Sequence, residues 1–277
     1  MDLILTALAP IIWGSTYIVT TELLPYGYPL MDAVLRALPA GIFLLLIVKK
    51  LPKGLWILRI LMLGALNFSI FWAMLFVSAY KLPGGVAATL GATQPLMVLL
   101  IANLVLKTSI RPLAIAASIV GLMGVGLLVL TPEAKLNSIG ILSAFTAALS
   151  MAIGTVFTRK WKPPVSALTY TAWQLTAGGL LLLPIALYKE PNFPLPTVTN
   201  LVGFIWLGLF GAALTYYLWF RGIDRLGPAR ATALSFSSPV SAVLLGWVIL
   251  HQQLNIYQVS GILIILGSTW GIQKMAA

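Results

Sequence analysis

Long apolar stretches alternate along this chain with short polar ones. Ten apolar runs fall near 3–21, 30–48, 57–78, 83–105, 111–130, 138–158, 166–188, 199–220, 227–249 and 254–273. A helix of about 20 residues crosses a bilayer core of about 30 Å. The pattern therefore predicts an all-α membrane protein of ten transmembrane helices. Little chain is left over for a soluble domain.

Polar residues interrupt two of these runs at their centres, as Thr93-Gln94-Pro95 and Ser237-Ser238-Pro239. A proline inside a helix removes one donor and clashes with the carbonyl four residues earlier, here Gly91 and Ser235. Lipid solvates no freed carbonyl, so such kinks, at Pro95 and Pro239, persist only against other helices, polar side chains or a wet cavity. The shift that lays Pro95 on Pro239 also lays Leu63-Gly64 on Leu207-Gly208, Leu82 on Leu226 and Leu90 on Leu234. The chain reads as a duplication, 1–132 and 133–277, joined by the polar link Thr131–Lys135. Five spans per copy is an odd number, so the second copy enters from the opposite face and the repeats are inverted. Interrupted helices at matching places in two halves point to the central site of a carrier.

Composition agrees, with 60% apolar and 8% charged residues against roughly half and a quarter in soluble domains. The net charge of +11 could suggest nucleic acid, and its placement argues otherwise. With ten spans, Lys49, Lys50, Lys53, Arg59, Lys107, Arg111, Arg159, Lys160, Lys162, Arg221, Arg225, Arg230 and Lys274 share one face, against Lys81, Lys135 and Lys189 on the other. Positive loops stay inside, which predicts cytoplasmic N and C termini. The absence of cysteine excludes disulfides and thiolate metal sites. Met1-Asp2 opens no basic leader, and the first run is expected to be retained as a helix.

Several runs carry polar or aromatic residues at membrane depth. In the first, Trp13 and Tyr17 share a face one turn apart, suited equally to core packing and to lining a cavity. The second contains Asp32 and Arg36, four apart, which can pair on one face; alternatively Arg36 lines a cavity and attracts a carboxylate. The third holds Asn67, which needs an interhelical partner or faces a pore, with Trp72 and, near the interface, Tyr80, suited also to an aromatic belt. Gln94, Ser237 and Ser238 either satisfy their own kinks or touch cargo as well. Trp173-Gln174 takes the place in the second half that Arg36 holds in the first. Tyr216 sits in the eighth run with Trp219, which is expected to anchor the membrane interface. The fifth and tenth runs have glycines and almost no polarity, as packing or dimer-forming helices do.

Trp13-Gly14-Ser15, Arg36 with Gly41, Gln94-Pro95, Trp173-Gln174 with Gly179, and Ser238-Pro239 resemble the drug/metabolite transporter superfamily in its EamA-type, ten-helix form. The resemblance covers nearly the whole chain. It implies a non-ATP secondary exporter of amino acids, metabolites or xenobiotics in the bacterial inner membrane. It also implies a cavity built by helices 1–4 and 6–9, with helices 5 and 10 set apart. Many members have a glutamate just after helices 4 and 9, where this chain has Thr108 and Gln252. The aromatic set Trp13, Tyr17, Trp72, Tyr80, Trp173 and Tyr216 is most similar to the aromatic amino-acid exporters. The alternative is a proton-coupled drug or nucleoside exporter.

The expected partners are a small-molecule substrate and the lipid bilayer, with a homodimer through helices 5 and 10 as a possible assembly; no nucleic acid, metal or cofactor is expected. For an intramembrane enzyme, Ser15 and His251 lie at different depths, beyond hydrogen-bond reach, and no HExxH, GxSxG or Walker A sequence is present. The acids are Asp2, Glu22, Asp32, Glu133, Glu190 and Asp224, all away from mid-span. Proton-driven carriers commonly use a buried carboxylate or histidine, so gradient-following export is expected, with exchange through Glu22 or Asp32 as the second route.

Overall fold

A computed structural model describes residues 1–82, 89–109, 111–129, 137–251 and 253–275, without the side chains of Tyr17, Ala79, Tyr80 and Met275. The start of the fourth apolar run at 83–88, the link at 131–135 with Glu133, Gln252, and the Tyr17 and Tyr80 side chains lie outside the described residues.

Among the described residues, ten helices are long and apolar enough to cross a membrane: α1 Asp2–Leu23, α2 Pro29–Val48, α3 Leu55–Ser78, α4 Thr89–Leu106, α5 Pro112–Val129, α6 Ser138–Lys160, α7 Ala167–Lys189, α8 Val198–Leu226, α9 Pro228–Ile249 and α10 Ile256–Lys274. Local chemistry sets their ends. Pro29 begins α2, where its missing N–H costs no helix bond. Ser166 accepts from Thr169 N–H, and Thr197 and Asn200 cap each other reciprocally at the start of α8. Lys49 and Lys107 close α2 and α4 in the left-handed region. Large apolar side chains stand exposed around the outside, among them Leu46, Leu104, Leu142 and Leu263, as a lipid-facing surface requires.

Four helices are irregular at their centres. α3 widens to a π turn over Ala65–Ser69, and α8 does so over Trp206–Leu214. The shift that lays Pro95 on Pro239 carries the first of these segments inside the second. In α4, a turn at 92–93 precedes the segment Gln94–Leu106. In α9, a 3-10 turn Leu234–Phe236 separates Pro228–Ala233 from Ser237–Ile249. Hydroxyls cover carbonyls at both breaks: Thr93 Oγ1 donates to Leu90 O, Ser235 Oγ to Thr232 O and Ser237 Oγ to Leu234 O, each at 2.6 Å. Gln94 does not do this, because its Nε2 is buried without a partner. The shorter hydroxyl of Thr93 reaches back one turn along its own helix, which the amide does not.

The main core joins α1, α2, α3, α6, α7, α8 and the start of α9, and its axis is the crossing of α2 with α7. Glycine makes that crossing close. A Cβ on Gly41 would stand 2.5 Å from Thr176 N, and one on Gly179 would stand 2.8 Å from Leu38 Cβ. Arg36 precedes Gly41 by the same spacing as Gln174 precedes Gly179, so each half sends one polar side chain into the bundle beside the crossing. α5 and α10 pack on each other, with Gly124 and Gly261 backbone to backbone, and a separate apolar cluster ties them to α9. These two glycines therefore serve contact within one chain.

Candidate functional site

The π turn of α3 places Phe68, fully buried, at the centre of a ring cluster. Its ring lies 4.6 Å from Tyr216 and 5.3 Å from Trp72. Trp13 of α1 closes the other side, 5.0 Å from Tyr216 and 5.1 Å from Trp219. Its indole Nε1–H donates to Thr215 Oγ1 at 2.9 Å, which fixes the ring's rotation. Tilted and edge-on contacts at such distances are the favourable ones for aromatic pairs. Trp219, expected at the membrane interface, is instead wholly buried. Its place on the face of α8 that meets Trp13 overrides the usual preference of tryptophan for the interface.

One cation enters this apolar wall. The Arg36 guanidinium stands 5.3 Å from the Trp72 ring centroid, and its Nη2–H donates to Gly211 O at 2.7 Å. A π turn shifts carbonyls off the regular ladder, and Gly211 lies within one. Arg36 Nε has no partner. The expected pair with Asp32 does not form: the ion pairs among the described residues join Arg159 and Lys162 to Asp224, and Arg221 to Asp2. Arg36 turns to the Gly211 carbonyl and the Trp72 face, while Asp32 stays in the first turn of α2. There the Glu190 carboxylate accepts from Leu30 N at 2.9 Å and Met31 N at 2.7 Å, capping that helix from the end of α7. Asp32 is 7% exposed, and its Oδ1 has no partner.

The other polar residues form separate groups. Asn67, fully buried, donates through Nδ2 to Gln174 Oε1 at 2.7 Å and to Thr158 Oγ1 at 3.2 Å. Asn67 Oδ1 and Gln174 Nε2 remain without partners. Trp173 points elsewhere, donating through Nε1 to Lys50 O at 2.7 Å beside a surface cavity. Ser238 meets α1 through its backbone, with its carbonyl 2.8 Å from where a Cβ of Gly14 would sit. Glu22 is exposed at the end of α1 and accepts from Thr21.

The structure thus brings together Trp13, Arg36, Trp72 and Tyr216, and joins Asn67 to Gln174 in a second group. It leaves Trp173 and Glu22 apart from both. Phe68 and the Gly211 carbonyl belong to the cluster and were not singled out from the sequence. The one available signal was the duplication, which lays Asn67 and Phe68 on Gly211 and Ala212.

A ten-helix bundle with broken central helices and an arginine set among aromatics has the architecture of a membrane carrier. The chain belongs to the EamA-like transporter family, whose profile matches residues 1–130 and 138–273. It is a membrane transporter of small molecules and not an enzyme. It is 43% identical to Protein PecM of Dickeya dadantii over 270 residues, covering 97% of this chain and 91% of that protein. It is 32% identical to the uncharacterized inner membrane transporter YedA of Escherichia coli K12, covering 85% of this chain and 78% of that protein. A solved structure described as "Crystal structure of protein" superimposes with a TM-score of 0.85 at 20% identity, covering 99% of this chain and 98% of that one, and so shares the fold.

Proposed function

We propose that this protein exports small amphipathic metabolites that join a carboxylate to a flat apolar group, aromatic amino acids foremost. The observation carrying this reading is Arg36, held on Trp72 and Gly211 with Nε unpartnered and with no ion pair to a carboxylate among the described residues. A cation at membrane depth is costly unless matched by an anion, and a cargo carboxylate supplies one. Trp13, Phe68 and Tyr216 offer the adjoining apolar surface.

The lysine- and arginine-rich face is cytoplasmic in this reading, and the membrane is the bacterial inner membrane, as the name of the relative YedA supports. The two inverted repeats, 1–132 and 133–277, rock about the α2–α7 crossing to expose the site to either side in turn. Export follows the cargo gradient. Proteoliposomes loaded in turn with tyrosine, phenylalanine, tyramine, alanine and uridine test the assignment. Selective efflux of the aromatic amino acids is expected, and equal efflux of uridine or tyramine would remove it.

Asp32 favours a second reading, proton-coupled export of drugs or nucleosides, since a buried carboxylate with a lone oxygen is a proton-exchange group. If an imposed pH gradient drives uphill accumulation and Asp32→Asn abolishes it, this reading replaces gradient-following export.

A further inference from the structure

The α2–α3 turn and the α6–α7 turn border an open surface cavity of about 380 Å³, lined by Lys49, Lys50, Lys53, Trp56, Trp173 and the Pro163-Pro164 corner. We propose that this cavity holds the phosphate headgroup of an anionic phospholipid, independently of the central site.

Charge accounting points to an anion. The described Asp side chains near this end of the bundle already have cations, Asp224 taking Arg159 and Lys162, and Asp2 taking Arg221. Lys49, Lys50 and Lys53 make no ion pair among the described residues, and no carboxylate lines the cavity. The walls are also built. Trp173 is 6% exposed and its indole N–H holds the Lys50 carbonyl, while Lys49 adopts φ 49 with its N–H on Leu45 O, so the turn carrying the lysines has a fixed shape. Next door, the Arg59 guanidinium lies 4.9 Å from the Trp56 ring and 5.6 Å from Trp161, which braces the second tryptophan wall.

The rim specifies a lipid. Ile47, Leu51, Leu55 and Leu58 are each at least half exposed around the ends of α2 and α3, where acyl chains would lie beneath a headgroup. Basic pockets at the ends of membrane helices are suited to anionic headgroups, each lysine adding about fivefold to affinity. The volume also falls in the range of small-ligand sites, roughly 300–1,000 Å³.

Purified full-length protein, stripped of lipid in mild detergent, can be titrated with phosphatidylglycerol, with phosphatidylcholine and with inorganic phosphate. Native mass spectrometry then counts bound lipid. One phosphatidylglycerol should bind in preference to phosphatidylcholine. The Lys49→Gln/Lys50→Gln/Lys53→Gln variant should lose that preference by about fivefold for each lysine removed, whereas Lys107→Gln should keep it. Lys53→Glu, at an exposed position, repeats the test if the triple variant folds poorly. Unchanged preference in a monodisperse variant overturns the proposal. Displacement of the lipid by millimolar inorganic phosphate also overturns it, in favour of a free-anion site.

Discussion

Arg36 is the residue on which cargo choice should turn. Removing its guanidinium with Arg36→Met deletes charge-assisted bonds worth about 1.5–3 kcal/mol, so efflux of tyrosine should fall roughly 10- to 150-fold. Tyramine, which lacks the carboxylate, should lose little. Parallel losses for both cargoes, measured at matched levels of folded protein, would assign Arg36 to structure alone. Trp13, Arg36, Trp72 and Tyr216 were legible in the sequence because charge and large amphipathic rings are costly at membrane depth without a reason. Phe68 was not, since a phenylalanine in an apolar run has nothing to mark it. Trp219 was misread for a related reason: sequence position gives depth only approximately, and rotation about the helix axis decides between interface and core.

At the scale of the element, all ten spans could be read from apolar run length, because the bilayer imposes one length on every helix. The prolines marked α4 and α9 in the same way. The π turns of α3 and α8 left no such mark, since an i→i+5 register needs no proline or glycine and is settled by what packs against it. Two predictions belong here. The double variant Pro95→Ala/Pro239→Ala should regularise both broken helices, and its efflux rate should drop more than its thermal stability, since bending at the repeat interface serves the motion. Wild-type efflux from the double variant would reduce the prolines to packing features. Gly41→Ala, by contrast, should act on stability. Its Cβ would meet Thr176 N at 2.5 Å, within backbone that cannot swing aside, and overpacking of this kind costs about 1–3 kcal/mol. A lowered midpoint of thermal unfolding in detergent is the expected sign, and an unchanged midpoint would mean the α2–α7 crossing has slack.

For the whole molecule, duplication and charge asymmetry make a joint claim about orientation. With two repeats, an odd number of spans in each makes the halves face opposite ways, and ten spans place lysine and arginine at one end of the bundle, with the described exceptions Lys81, Lys189 and the membrane-depth Arg36. Net charge alone implies no orientation; its distribution over the loops predicts one, because translocating a cation is costly while a carboxylate counts little. The cysteine-free chain permits a direct test with single thiols at exposed turns. Lys53→Cys lies between α2 and α3, and Asn192→Cys lies between α7 and α8, both exposed to solvent. In spheroplasts, a membrane-impermeant maleimide should label Asn192→Cys at once and Lys53→Cys only after permeabilisation. The opposite order would turn the carrier over, placing the lysine-lined cavity and both termini outside and making the proposed export into uptake. Labelling of both without permeabilisation would place the two turns on the same side, which the odd number of spans between them, α3 to α7, does not allow, and the inverted repeat would fail with it.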